Sequence, residues 1–471
     1  MASEDTTPGP ALPGQRSPSA TLLAGLAGAG DVVADPDVLE AYRRDQAAPG
    51  LLAAGMPAAL VRPTTTAEVQ VAVRAAAAHG VPVVPRGAGS GLSGGANAID
   101  GCVVVSLERM DRIVELDAAG LTATVQPGVV NAVLGTAAAA EGLWYAPDPA
   151  SREFSTIGGN IATNAGGLCC VKYGVTRDAL LSCEVVLADG RAVRVGHRTR
   201  KGVAGYDLAG LICGSEGTLG IVTEATVRLL PAPPRSSTLA ATFSSLVDAG
   251  EAVAAIVRRV RPSMLELLDR TTLQAVQELE PLGYEDDVHA VLFARSDAGA
   301  DAGLREIELI QELCDAAGAT LSVVSDDEAE GRAITVARQL AYPALERKGT
   351  TLLDDVAVPL PQVPALLAGV ERIAVDRDVL IGTFGHAGDG NMHPTVVYDH
   401  RDADAVLRAR AAFDAIVALA LELGGTVSGE HGVGLLKTAH LDAELGDARG
   451  LGRAIKDAWD PAGTMNPGKA I

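Results

Sequence analysis

Short apolar runs alternate with glycine-rich polar stretches through the first half of the chain. Val81-Pro82-Val83-Val84-Pro85 and Cys102-Val103-Val104-Val105-Ser106-Leu107 read as strands. Thr65-Thr66-Ala67-Glu68 is a capping box, in which a hydroxyl and a carboxylate three residues apart satisfy each other's free backbone N–H groups. It opens an Ala/Val-rich helix ending at His79-Gly80. CEVVLADGRAVRVG alternates about Asp189-Gly190 and reads as a hairpin. Thr21 to Gly30 reads as the first helix, and Arg453 to Trp459 as the last, followed by a turn at Met465-Asn466-Pro467-Gly468-Lys469. Three prolines in Pro231-Ala232-Pro233-Pro234 cannot continue a sheet or helix and mark a boundary. Beyond them amphipathic helices alternate with short strands, so the fold class is α+β.

Between the first two strands lies Pro85-Arg86-Gly87-Ala88-Gly89-Ser90-Gly91-Leu92-Ser93-Gly94-Gly95, which contains a formal GxGxxG. A nicotinamide-binding Rossmann fingerprint needs strand, glycine loop and helix N-terminus, with an acidic residue about 20 positions on. Here the loop runs into a strand, so the nicotinamide reading fails. Many glycines can still turn backbone N–H groups inward as an anion nest, and phosphate is the best candidate, against a plain surface loop. Two more glycine-rich segments, Ile157 to Gly167 and Cys213 to Val222, suggest one long cofactor lying across all three, as a dinucleotide would.

The 471 residues suffice for two or three domains with their own cores, and the 48% apolar content with no uniformly charged block implies a globular, soluble chain. No apolar run reaches the roughly 18 residues of a membrane span. A net charge of -21 argues against a nucleic-acid partner, whose phosphates need a basic surface. Cys102, Cys169, Cys170, Cys183, Cys213 and Cys314 form no CxxC pair, which excludes iron–sulfur and zinc-ribbon patterns and fits reduced thiols in a cytoplasm. Residues 1–19, rich in Pro, Gly, Ser and Thr, are expected to be disordered.

In Gly385-His386-Ala387-Gly388-Asp389-Gly390-Asn391-Met392-His393, Asp389-Gly390 is a two-residue type I′ turn signal. A turn there sets His386 opposite His393, with Cβ atoms about 4.5–5.5 Å apart on one face. Two imidazoles so placed can share a metal ion, and Gly429-Glu430-His431-Gly432 offers a third ligand. Two His and one Glu with an open position suit zinc, manganese or iron. A hydrogen-bonded polar cluster is the competing reading.

Together PRGAGSGLSGG, Pro147-Asp148-Pro149, IGGNIATNAGG, Lys172-Tyr173-Gly174, GSEGTLGIVT, GHAGDGNMHP and GEHGVG resemble the FAD-linked oxidoreductases of the vanillyl-alcohol oxidase/p-cresol methylhydroxylase (PCMH) type. Within that group the chain is similar to the D-2-hydroxy-acid dehydrogenases: D-lactate dehydrogenase, the glycolate oxidase FAD subunit and D-2-hydroxyglutarate dehydrogenase. The resemblance spans nearly the whole chain, from Tyr42 to Lys469. It implies a disordered tail (1–19), a two-subdomain PCMH-type FAD-binding domain (20–232) and an α+β substrate or cap domain with the metal site (235–452). A C-terminal segment (453–471) would return to the first domain.

By the same resemblance the FAD pyrophosphate is cradled by Pro85, Arg86, Gly87, Ala88, Gly89, Ser90, Gly91, Leu92 and Ser93. Further FAD contacts fall on Pro147, Asp148, Thr156, Gly158, Gly159, Asn160, Ala162, Thr163, Asn164, Gly166, Gly167, Tyr173, Glu216, Gly217, Gly220, Ile221, Val222, Asn466 and Lys469. Ser90 stands where some relatives carry a flavin-linking histidine, which implies non-covalent FAD. His386, His393 and Glu430 correspond to metal ligands, with zinc favoured. His431 corresponds to the base taking the hydroxyl proton, and Arg338 to the arginine that binds the substrate carboxylate. Tyr342 and Leu353 replace the threonine and lysine that hold a distal carboxylate in the hydroxyglutarate branch, which favours a monocarboxylate such as D-lactate, glycolate or a longer apolar acid.

The implied reaction oxidises a D-2-hydroxy acid to the 2-oxo acid, with hydride to flavin N5. The electron acceptor is left open, and partner subunits are expected if the chain is of the glycolate oxidase type. Competing readings are a D-2-hydroxyglutarate dehydrogenase, an inert FAD scaffold and a non-redox metal hydrolase.

Overall fold

The computed structural model describes residues 19–199 and 201–471. The tail expected to be disordered lies outside them except for Ser19, whose hydroxyl accepts from Leu22 N and caps the first helix, Ala20–Gly25. The capping box at Thr65 and Glu68 forms as expected at the head of helix Thr66–Ala78.

Four strands, β1 (Asp31–Val33), β2 (Ala59–Arg62), β3 (Val83–Arg86) and β4 (Val103–Ser106), form a small sheet in the order β1-β2-β4-β3. β2, β4 and β3 run parallel, and their inward residues pack on Val69, Ala72, Val73 and Ala76 of the following helix. β5 (Ile113–Asp117), β6 (Thr122–Val125), β8 (Leu180–Val186), β9 (Ala192–Gly196) and β10 (Ile221–Arg228) build a second, antiparallel sheet. The two-residue strands β7 (Leu143–Trp144) and β11 (Leu230–Pro231) pair beside it. The proline-rich boundary thus still contributes one short ladder, because Pro231 ends its strand, where a missing N–H is tolerated.

After Pro234 the chain builds one large sheet from β12 (Ser237–Phe243), β13 (Met264–Asp269), β14 (Ala290–Ser296), β15 (Ala319–Ser325), β16 (Thr350–Leu353), β18 (Leu380–His386) and β19 (Asn391–Tyr398). The two-residue β17 (Val356–Ala357) pairs with β19. Helices Leu246–Val257, Ala300–Ala316, Val363–Arg377 and Ala403–Glu422 bury one face of it. Helices Arg270–Leu279 and Val336–Glu346 cover part of the other, packing on Met264, Leu268, Phe293 and Phe384.

The last helix, Ala448–Trp459, begins earlier than its apolar pattern suggests. After it the chain returns to the first sheet, where Val83 N donates to Thr464 O and Asn466 N to Val83 O. No helix among the described residues is long and apolar enough to cross a membrane.

Candidate active site

β3 delivers Arg86 to a cavity of about 860 Å³ lined by the glycine segments and by residues of β16, β18 and β19 of the large sheet. No helix follows β3 before β4. Gly89 sits at φ +73°, and a Cβ there would lie 2.1 Å from the Arg86 guanidinium; one on Gly87 would lie 2.6 Å from Thr156 Oγ1. Only bare backbone fits. Across the cavity IGGNIAT folds into helix Ile157–Thr163, which the glycine content obscures, with Thr156 as its N-cap. Gly158 is required there because a Cβ would meet Pro127 at 2.5 Å.

All nine residues from Pro85 to Ser93 line this cavity, with Asp148, Gly158, Gly159, Asn160, Ala162, Thr163, Gly166, Glu216, Gly217, Gly220, Ile221 and Val222. Seven expected FAD contacts are not on its wall. Pro147 O accepts from Asn131, Thr156 caps its helix, and Asn164 closes that helix in the left-handed region (φ 54°). A Cβ on Gly167 would lie 2.4 Å from Asp148 O. Tyr173 donates to Asp297 and stands edge-on to Trp144. Asn466 Nδ2 holds the carbonyls of Gly95 (3.0 Å) and Glu216 (2.7 Å). Lys469, buried at 1% exposure, donates to Gly95 O and Asn97 O.

Arg338, Tyr342, Leu353, Phe384, His386, His393, Glu430 and His431 line the other end of the same cavity. The hairpin there departs from the expected register. His386 opposes Asn391 and Phe384 opposes His393, so the turn is the four residues 387–390. Asp389 keeps a negative φ and only Gly390 (φ +81°) is left-handed, which rules out type I′. The two histidines nonetheless share a face as diagonal neighbours, their ring centroids 5.1 Å apart.

Glu430 Oε1 lies 3.1 Å from His386 Nε2, 3.3 Å from His393 Nε2 and 3.7 Å from His431 Nε2. The His431 ring stacks on His393 at 4.9 Å. His386 Nδ1 bonds Glu266 Oε1 at 2.7 Å; with its one proton on Nδ1, a neutral ring would turn its Nε2 lone pair toward Glu430. Lone pair facing carboxylate is repulsive unless a proton or cation stands between them. Burial opposes the charged ring, yet Glu266 and Glu430 hold the His386 pKa well above its usual range. Burial would raise Glu430, but the His386 and His393 rings hold it well below. The set therefore has the field and the donor types for a divalent cation, and His386, His393 and Glu430 could hold one. His431 differs: burial pushes its pKa down to about 4, leaving a neutral ring at pH 7.

Sequence reading missed the residues behind these. Glu266 is fully buried on β13 and bonds both His386 and, at 2.6 Å, Arg338 Nε. Asp355 is fully buried and accepts from Asn391 Nδ2, Ser428 Oγ and the backbone N–H groups of Glu430 and His431. Glu216, already among the expected FAD contacts, also joins the two halves, accepting from Val433 N and Gly434 N. The signal was an acid inside apolar runs, Met264-Leu265-Glu266-Leu267-Leu268 and Leu352-Leu353-Asp354-Asp355-Val356, since buried carboxylates are rare without a task.

Two family models match the chain: "FAD binding domain" over residues 57–196 and "FAD linked oxidases, C-terminal domain" over 232–470. The glycolate oxidase subunit GlcD of Bacillus subtilis is 43% identical over 88% of this chain and 89% of its own. A D-lactate dehydrogenase of Anaerostipes hadrus is 34% identical over 93% and 94%. The fold is that of p-cresol methylhydroxylase with substrate bound, at a TM-score of 0.79, 18% identity and coverage of 95% and 96%. With its glycine-walled cavity and these matches, the chain belongs to the FAD-linked oxidases, as an FAD-linked oxidoreductase of the D-lactate dehydrogenase and glycolate oxidase GlcD type.

Proposed function

We propose that the protein oxidises a D-2-hydroxy monocarboxylate, such as D-lactate, glycolate or a longer apolar homologue, to the 2-oxo acid. FAD supplies the two-electron acceptor, and a divalent cation at His386, His393 and Glu430, zinc by preference and otherwise manganese or iron, supplies Lewis acidity toward the hydroxyl. Arg338 holds the carboxylate through its Nη groups, its Nε being engaged by Glu266. His431 takes the hydroxyl proton at Nε2 and is neutral over the working pH range. Tyr342 and Leu353 bound the substrate end with apolar surface, and no lysine there balances a second carboxylate. The flavin is dissociable, because Ser90 and not a histidine stands in the cradle.

The single observation carrying this reading is that the Arg338 guanidinium, the His431 imidazole and a His/His/Glu set line one cavity with the glycine cradle. The test is kcat/KM with a dye acceptor for D-lactate, glycolate and D-2-hydroxyglutarate. A monocarboxylate should lead, and preference for the dicarboxylate would overturn the assignment. Reduced flavin needs a separate acceptor in the cytoplasm. The identity to a protein named as a subunit favours a second reading, that turnover needs partner subunits; dye-linked activity of the isolated chain would count against it.

A further inference from the structure

Glu266 is an anomaly where it stands. β13 is paired on both sides, with β14 and β18, and all six of its residues are buried. On the face that Glu266 shares with Met264 and Leu268, the neighbours are Phe293, directly opposite it, and Phe384. A carboxylate there loses its hydration and persists only if both oxygens find donors. Both do: Oε1 bonds His386 Nδ1 at 2.7 Å and Oε2 bonds Arg338 Nε at 2.6 Å.

We propose that Glu266 is a positioning residue that couples the cation site to the substrate-anion anchor by bridging His386 and Arg338. The inference rests on the reading above, in which that cavity takes a cation and a carboxylate. Oε1 keeps the proton of His386 on Nδ1, so that Nε2 is the ligand atom and the ring cannot rotate. Oε2 fixes the Nε edge of the guanidinium while its plane lies over Phe384, whose ring centroid is 4.9 Å from Arg338 Cζ. The two Nη groups are left for the cavity. A single carboxylate thus serves both partners. Because one buried carboxylate holds both groups, a movement of His386 on binding displaces the carboxylate that fixes Arg338, so occupancy of one site alters affinity at the other. Linkage requires the effect to be reciprocal. Asp355 gives a contrast: it holds Glu430 and His431 through their N–H groups and faces His393 Nδ1 at 3.8 Å, without touching Arg338.

The test uses the FAD-loaded full chain, stripped of metal. Zinc affinity is measured by competition with a chromophoric chelator, and propionate affinity by perturbation of the oxidised flavin spectrum. Propionate carries the carboxylate but no hydroxyl, so it reports the anchor alone. In the wild type, saturating propionate should shift the zinc Kd by about fivefold or more, the lower end of ordinary coupling. In Glu266→Gln the amide can accept from only one partner. Zinc affinity should fall about 10- to 100-fold, propionate affinity should fall with it, and the cross-effect should vanish.

Should that variant not fold, Arg338→Met tests the same link from the other end, because it should move the zinc Kd although Arg338 is no ligand. A zinc Kd unmoved both by propionate and by Arg338→Met would overturn the coupling. So would a Glu266→Gln protein that loses zinc but binds propionate as before. A wild type that binds neither probe would instead refute the reading of the cavity itself, and the coupling with it.

Discussion

Replacing Gly89 with Ala should separate flavin binding from folding. Gly89 lies at φ +73° and its Cβ would fall 2.1 Å from Arg86 Nη2. The left-handed backbone costs an L-residue roughly 1–2 kcal/mol. Arg86 is only 9% exposed and donates to Arg44 O at 2.9 Å, so moving it away forfeits a charged hydrogen bond worth about 1.5–3 kcal/mol. The apoprotein can relax by letting the loop shift. Cofactor binding must restore the cradle, so the penalty of about 2.5–5 kcal/mol appears in affinity, roughly 60- to 4,000-fold. The assay is quenching of FAD fluorescence on titration with apoprotein, beside a thermal melt of each apoprotein. Gly80→Ala is the control, since its φ is +62° with nothing within 4 Å of the new Cβ; it carries the backbone strain alone and lies outside the cavity lining. If Gly89→Ala bound FAD within threefold of wild type, the cradle argument would be wrong.

His431→Ala should lower kcat about 10²- to 10⁴-fold, the usual worth of a positioned base, with flavin content unchanged; an undiminished rate removes His431 from that role. Because its pKa lies near 4, the acidic limb of kcat/KM should fall well below pH 6.5, and a limb at or above 6.5 would contradict a buried neutral base. Dialysis against a chelator should abolish turnover while the yellow colour stays, with zinc restoring the rate; full activity in demonstrably metal-free protein would dismiss the cation. Leu353→Lys should raise kcat/KM for D-2-hydroxyglutarate relative to D-lactate by about 10-fold or more, as one new ion pair allows, and an unchanged ratio would remove this position from selectivity. Burial pushes the Glu216 carboxyl up to about 7. Its folded pKa exceeds its unfolded one, so its stabilising contribution is complete below about pH 4.5 and is lost as pH rises through 7. Glu216→Gln should flatten the slope of Tm against pH in that window, and an identical slope would place the proton elsewhere.

The sequence carried the parts whose chemistry is local. PRGAGSGLSGG announced its bare backbone because glycine at so many positions serves little else, and every residue from Pro85 to Ser93 does line the cavity. The His386 and His393 pairing survived a wrong register, because a shift by two keeps both side chains on one face. What stayed hidden is what only distant contacts define. The return of Asn466 and Lys469 to the first domain was expected, but not that they would brace the cradle from behind through the carbonyl of Gly95, more than 370 positions away. Tyr173 shares a motif with the flavin segments, yet its hydroxyl goes to Asp297. Glu266 and Asp355 could be seen as acids among apolar neighbours, but nothing along the chain says which histidine each one faces. The helix at Ile157–Thr163 was masked by the poor helix propensity of its two glycines, of which Gly158 is demanded by packing against Pro127.

The central claim is that the glycine cradle and the His/Arg end of the cavity act on one substrate. The most direct measurement is an absorbance spectrum of the purified chain before and after anaerobic addition of D-lactate, L-lactate, glycolate and D-2-hydroxyglutarate. Oxidised-flavin bands that D-lactate or glycolate bleaches, and L-lactate does not, are the predicted result. A colourless protein unable to take up FAD, or a yellow one that no 2-hydroxy acid reduces, would contradict it.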